Sequence, residues 1–188
     1  MNTGIIASRY AKALLRLVEE TGSGDAVVLQ ARSVLDALVD VPDFRRLLVD
    51  PSVDVGKKLS LLETAVVAPP CHPELRRFFE LLLRNGRIGD IALILKSFED
   101  QYYESKGIVR GRLILPSEPD AAARALEDKL KALIESSTGK TLLLVTEVDQ
   151  SLIGGFVLEV EDKLLDASVS RQLERIRAQF VERNRRIV

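Results

Sequence analysis

Ser137-Thr138-Gly139-Lys140-Thr141 comes nearest to a reactive motif, because it ends like a phosphate-binding loop. Such a loop cradles phosphate with backbone N–H groups at a helix N-terminus, and it needs a further Gly five residues before the second one. Ile134 stands there, and the flanking pattern runs helix, loop, strand instead of strand, loop, helix. The segment reads as a helix C-cap and turn. His72 is the single histidine. A His-based triad needs a nucleophile and an orienting acid, which no local pattern supplies. Cys71-His72 offers two adjacent ligands where a structural zinc site needs four. Gly154-Gly155 lacks the spacing of a dinucleotide site and reads as close backbone approach in a sheet. No paired carboxylates stand in a recognisable catalytic context. No catalytic residue, metal ligand or cofactor site is expected.

The chain has 188 residues, enough for one or two domains with a sizeable core. It is 46% hydrophobic and 29% charged, so it is globular and not disordered. Aromatics are 5% and Trp is absent, which leaves aliphatic helices to fill the core. The net charge of −1 argues against nucleic acid as the main ligand. One cysteine excludes an internal disulfide. No apolar run approaches the ~20 residues that span a bilayer, so membrane association would go through partners.

Residues 1–106 read almost wholly as helix. The first helix runs from about Thr3 to Glu20 and stops at Thr21-Gly22-Ser23-Gly24. Arg9, Lys12 and Arg16 precede its first acid, as in organelle transit peptides, but the Ser richness of such peptides is missing. A second helix spans about Asp25 to Val39, and a helical turn near Asp43 to Leu48 lies between Pro42 and Pro51. The fourth carries Val55, Leu59, Leu62 and Val66 as one stripe. Ala68-Pro69-Pro70-Cys71-His72-Pro73 breaks the chain. The fifth helix spans about Pro73 to Arg84, with Asn85-Gly86 as its C-cap, and the sixth carries Ile91 to Tyr102.

After Gly107 the period changes. Val109, Gly111, Leu113 and Leu115 alternate with Arg110, Arg112 and Ile114 as a strand. A helix carrying Leu126, Leu130 and Leu133 follows, then a strand over Thr141 to Val148. From Asp149 the order is turn, strand, tight turn, short strand and helix, with Asp166 or Ser168 accepting at the helix start. The fold class is mainly α with a small α+β part. An N-terminal six-helix bundle (1–106) precedes a C-terminal domain (107–188) of short strands and two helices.

The surfaces carry more than the motifs. On a wheel of the first helix, Ile6, Tyr10, Ala13, Leu14 and Leu17 belong to an apolar arc of roughly 200°, where one core contact needs little more than about 100°. On the fifth, Leu75, Phe78, Phe79, Leu82 and Leu83 cover roughly 140°, and Leu81 widens the arc. Two readings stand: a groove for a helix of another chain, or a small bundle that buries both helices on two sides. Near the C-terminus six Arg face two Glu from Ser170 onward. Arg175, Arg177, Arg183, Arg185 and Arg186 either form a solvated helix end or meet an acidic partner.

Three blocks in order resemble the delta-subunit family of F-type ATP synthases, whose mitochondrial equivalent is the oligomycin-sensitivity-conferring protein. They are Ser8-Arg9-Tyr10-Ala11-Lys12-Ala13-Leu14, Phe79 to Arg87 (FELLLRNGR, with Ile88 where Leu is usual) and Ser151 to Ile176 (SLIGGFVLEVEDKLLDASVSRQLERI). The resemblance implies a non-catalytic stator subunit that ties the catalytic head to the peripheral stalk against rotor torque. It implies that the first and fifth helices grip the N-terminal helix of an alpha subunit, with Tyr10, Ala13, Leu14, Phe78, Phe79 and Leu82 in or near that groove. The C-terminal domain would engage the b subunits, with Arg175, Arg177 and Arg183 as candidate contacts. It further implies a single copy per complex, monomeric when isolated, held peripherally at the cytoplasmic face of the inner membrane through its partners. The alternative is a nucleic-acid or ribosome-associated protein using the Arg-rich helix, against which the near-zero net charge weighs.

Overall fold

The computed structural model describes residues 3–161 and 163–185, with side chains placed through Arg177. The side chains of Phe180, Arg183 and Arg185, and Arg186 as a whole, lie outside the described residues. The chain divides into two compact units, Met1–Ser105 and Lys106–Val188.

In the first unit α1 (Thr3–Thr21), α2 (Gly24–Asp40), α3 (Pro42–Val49), α4 (Val55–Thr64), α5 (Pro73–Arg84) and α6 (Ile91–Ser105) surround one apolar core, with a 3₁₀ turn at Ile88–Asp90. The local chemistry sets the breaks. Pro42 and Pro73 open α3 and α5, where their missing N–H groups have no helical partner to lose. Asp54 caps α4 by accepting from the Gly56 N–H at 2.9 Å. α1 buries Ala7, Ala11, Leu14 and Val18, one stripe at helical spacing, and packs chiefly on α6. α5 buries Leu75, Phe78, Phe79 and Leu82. Each such large side chain is worth about 1.5–3 kcal/mol in transfer from water.

The expected stripe on α4 is only partly observed. Leu62 is buried, but Val55 is exposed and Lys58 is buried instead. Val55 is the first helical residue, at the margin of the core. Val66 is buried although the helix has ended at Thr64, because the chain turns inward after the last helical residue.

In the second unit β1 (Ile108–Leu115), α7 (Ala121–Thr138), β2 (Thr141–Val148), β3 (Val157–Val160), β4 (Lys163–Asp166) and α8 (Val169–Arg185) follow in order. The sheet order is β2-β1-β3-β4. β1 and β2 are parallel, joined through α7, while β3 pairs antiparallel with β1 and with β4. One-sided burial of β1 follows its alternation: Val109, Gly111, Leu113 and Leu115 face inward. Leu113, Leu115, Leu130 and Leu158 form the core, with Leu126 and Ile134 of α7 packed against it. Leu133, expected on that stripe, is exposed, and Ile134 takes the inward position. Taken together, the described residues are mostly helical with a small four-stranded sheet.

Candidate functional site

α1 and α5 divide their wide apolar arcs between two tasks. Leu75, Phe79 and Leu82 are 0% exposed and belong wholly to the core. Leu14 and Phe78 are almost as buried but also line a cleft of about 280 Å³ between the two helices. Ala13, Leu17 and Leu81 complete its apolar floor, and Arg77, Glu80 and Arg84 edge it. Ala13 is exposed; Ile6, Tyr10 and Leu17 are half-buried. Of the apolar residues expected at a groove, the structure therefore brings Ala13, Leu14, Leu17 and Phe78 to the cleft. Ile6 and Tyr10 continue along α1. Leu81, which the wheel only added at the margin, lies on the cleft floor.

Asn85 ties the two helices at one end, donating from Nδ2 to the Tyr10 hydroxyl at 3.1 Å. Asn85 is the C-cap of α5, and the Gly86 and Arg87 N–H groups satisfy the Leu83 and Leu82 carbonyls. The other end is held by a residue with no sequence signal. Gln30 of α2 donates from Nε2 to the carbonyls of Ala68 (3.3 Å) and Pro70 (3.2 Å). It also accepts from the His72 N–H at 2.8 Å. One buried amide thus fixes the proline-rich loop and the start of α5. The His72 Nδ1 lies against Glu74 Oε2, and the Cys71 thiol is pushed up to about 11 by burial, with the charge of Glu63 adding to it. A thiol held this way is a poor nucleophile near neutral pH. Among the described residues no group of three or more His, Cys, Asp or Glu could hold a metal ion.

In the second unit the phosphate-loop lookalike is a helix end. Gly139 is the left-handed C-cap of α7, with its N–H on the Glu135 carbonyl. Ser168 caps α8, its Oγ accepting from the Arg171 N–H at 3.3 Å. Asp166 accepts from the Ser168 N–H at 3.0 Å, and hydrogen bonding from the Ser168 side chain first and its backbone second holds the Asp166 carboxyl below the usual range. Gly155 has φ +80°, and a Cβ there would overlap the Ala167 carbonyl oxygen. At Gly154 a Cβ would crowd Val169 Cγ2 at 3.1 Å. The glycine pair lets the turn before β3 lie against the start of α8. From there α8 presents Val169, Leu173 and Ile176 to solvent at helical spacing, beside exposed Arg175 and Arg177. The face of the sheet that carries Leu143, Val145 and Leu164 is also exposed, crossed by Arg112, which pairs with Glu159 (2.7 Å) and Glu147 (3.3 Å).

Both units therefore offer open apolar surfaces framed by charge, and no convergent set of reacting groups is seen among the described residues. No helix among the described residues is long and apolar enough to cross a membrane. The family model for the ATP synthase delta (OSCP) subunit matches residues 6–180. ATP synthase subunit delta of Phocaeicola vulgatus is 34% identical over the full length of both chains. That of Lactobacillus gasseri is 32% identical over 94% of this chain and 95% of its own. Among solved structures, a chain of the Toxoplasma gondii mitochondrial ATP synthase hexamer superposes with a TM-score of 0.63 at 26% identity, covering 93% of this chain and 97% of that one. These matches disfavour the nucleic-acid alternative: the chain belongs to the ATP synthase delta (OSCP) subunit family, the non-catalytic peripheral-stalk subunits of F-type ATP synthases.

Proposed function

We propose that this stator subunit works as a two-ended clamp. Its first end is a six-helix bundle domain (1–106), whose α1–α5 cleft receives the N-terminal helix of an alpha subunit of the catalytic head. The open apolar cleft is the observation that carries this reading. A groove of that shape suits an amphipathic helix seated by residues at i, i+3 and i+4. Ile6, Tyr10, Ala13, Leu14, Leu17, Phe78 and Leu81 touch or flank the guest, while Leu75, Phe79 and Leu82 hold the floor from beneath. The second end is the α+β domain (107–188), which engages the b subunits. Its exposed stripe of Val169, Leu173 and Ile176 supports this, with exposed Arg175 and Arg177 beside it, and Arg183 is a further candidate contact.

The task is static. Rotor torque reaches the head as a tangential load, and a tether at both surfaces turns that load into conformational work instead of rotation of the head. The subunit acts as one copy per complex, monomeric when isolated, peripheral at the cytoplasmic face of the membrane through its partners.

The test is a bridging assay with the alpha-containing head and the soluble part of the b subunits from the same genome. The full chain is expected to link the two on size exclusion. Ala13→Asp should lose the head and keep the b subunits, and Leu173→Asp the reverse. A chain that binds neither, or a variant that loses both ends at once, contradicts the two-ended clamp.

A further inference from the structure

The charge around the α1–α5 cleft is one-sided. On α5, Arg77 and Arg84 line the cleft and are exposed, lying four residues before and three after Leu81 on its floor. On α1, exposed Arg9 and Arg16 stand in the same relation to Ala13. None of these four makes an ion pair among the described residues. Glu80, the one acid in the lining, is engaged by Arg76 at 3.5 Å, and Arg76 also holds Glu63 at 3.2 Å. The acids of α1, Glu19 and Glu20, are confined to its last turn. The apolar floor thus has unpaired guanidinium groups of α5 in its lining, and on α1 two more stand at helical spacing beside Ala13.

We propose that the occupant of this cleft is an amphipathic helix whose apolar stripe is flanked on both sides by acidic side chains. This rests on the docking role given to the cleft above and names the chemistry of its guest. Apolar burial seats such a helix, while the rim sets its specificity. Carboxylates on each flank meet Arg9 and Arg16 on one wall and Arg77 and Arg84 on the other. A helix with the same stripe but basic flanks brings like charges together as the floor closes over. The rim also draws an acidic helix in from a distance, so association is fast at low salt and slows as salt screens it.

The full chain is titrated with three fluorescent peptides. Two are designed 20-residue helices sharing one Ala/Leu stripe, flanked in one by Glu and in the other by Lys. The third is the N-terminal peptide of the alpha subunit from the same genome. The Glu-flanked helix is expected to bind at least about tenfold more tightly than the Lys-flanked one near 50 mM salt, with the preference shrinking near 500 mM. Arg77→Gln/Arg84→Gln should shrink that preference and Arg77→Glu/Arg84→Glu should abolish it, because Arg9 and Arg16 remain, both with unchanged circular dichroism because the replaced side chains are exposed. Equal binding of the two designed helices, binding of neither, or a ranking that survives the charge reversal overturns the proposal. The alpha peptide separates the two claims. If it fails where the Glu-flanked helix binds, the guest is not alpha but the charge rule stands. If it binds without dependence on salt or on Arg77 and Arg84, alpha is the guest and the charge rule is wrong.

Discussion

Replacing Gln30 tests how the cleft is framed. The side chain is 7% exposed and makes three hydrogen bonds to a loop some 40 residues away in sequence. The bond from the His72 N–H, at 2.8 Å, is worth about 1 kcal/mol net, and the two donated at 3.2 and 3.3 Å about half that each. Gln30→Leu keeps the side chain's size but turns an apolar group toward one N–H and two carbonyls. Leaving these partly buried groups unpaired adds about 1 kcal/mol beyond the lost bonds. The expected total is about 2–3 kcal/mol, read as a fall in the urea midpoint of helical circular dichroism at constant slope. Hydrogen exchange should locate the loss, with the His72 amide losing protection first. Gln30→Glu separates the bonds, because a carboxylate can still accept from His72 but cannot donate to Ala68 or Pro70. It should lose stability while keeping the His72 amide protected. A Gln30→Leu protein within about 0.5 kcal/mol of the parent, with that amide still protected, refutes the reasoning.

Leu82→Ala should cost about 2–5 kcal/mol, because the side chain has no exposed surface and leaves a cavity in the core; chemical denaturation reads it. Ala13→Asp should cost only about 0.7 kcal/mol of helix propensity and leave the unit folded, yet weaken head binding at least thirtyfold by setting a carboxylate on the apolar floor (about 2 kcal/mol or more). Gly155→Ala should destabilise the second unit by about 1–3 kcal/mol through its positive φ and the overlap with Ala167, with heteronuclear spectra showing α8 loosened first. The Cys71 thiol, neutral to about pH 11, should alkylate far more slowly in the native chain at pH 8 than in urea. Because its folded pKa is raised, its contribution to stability is complete below the thiol's ordinary value of 9.0 and is lost as pH rises through about 11.

Most of the scaffold was legible because its signals are local. Pro42 and Pro73 open α3 and α5, Asn85 caps α5, and the alternation of β1 gives its buried face. The cleft was half legible. The wheel showed that α1 and α5 carry more apolar surface than one contact needs, but it does not say that Leu82 lies in the core while Leu81, one residue before it, opens to the cleft. That distinction depends on how the neighbouring helices cross, which periodicity does not encode. Gln30 and Lys58 were invisible for the same reason. Each is a polar residue on a buried stripe, and the loop that explains Gln30 lies far along the chain.

The most direct test of the clamp is calorimetric titration of the full chain with the N-terminal 20–25 residues (about six turns) of the alpha subunit from the same genome, at several temperatures. One-to-one binding with a negative heat-capacity change, abolished by Ala13→Asp, is the result expected of a helix burying its apolar face in the α1–α5 cleft. A folded chain that gives no binding, or binding indifferent to Ala13→Asp, would contradict it.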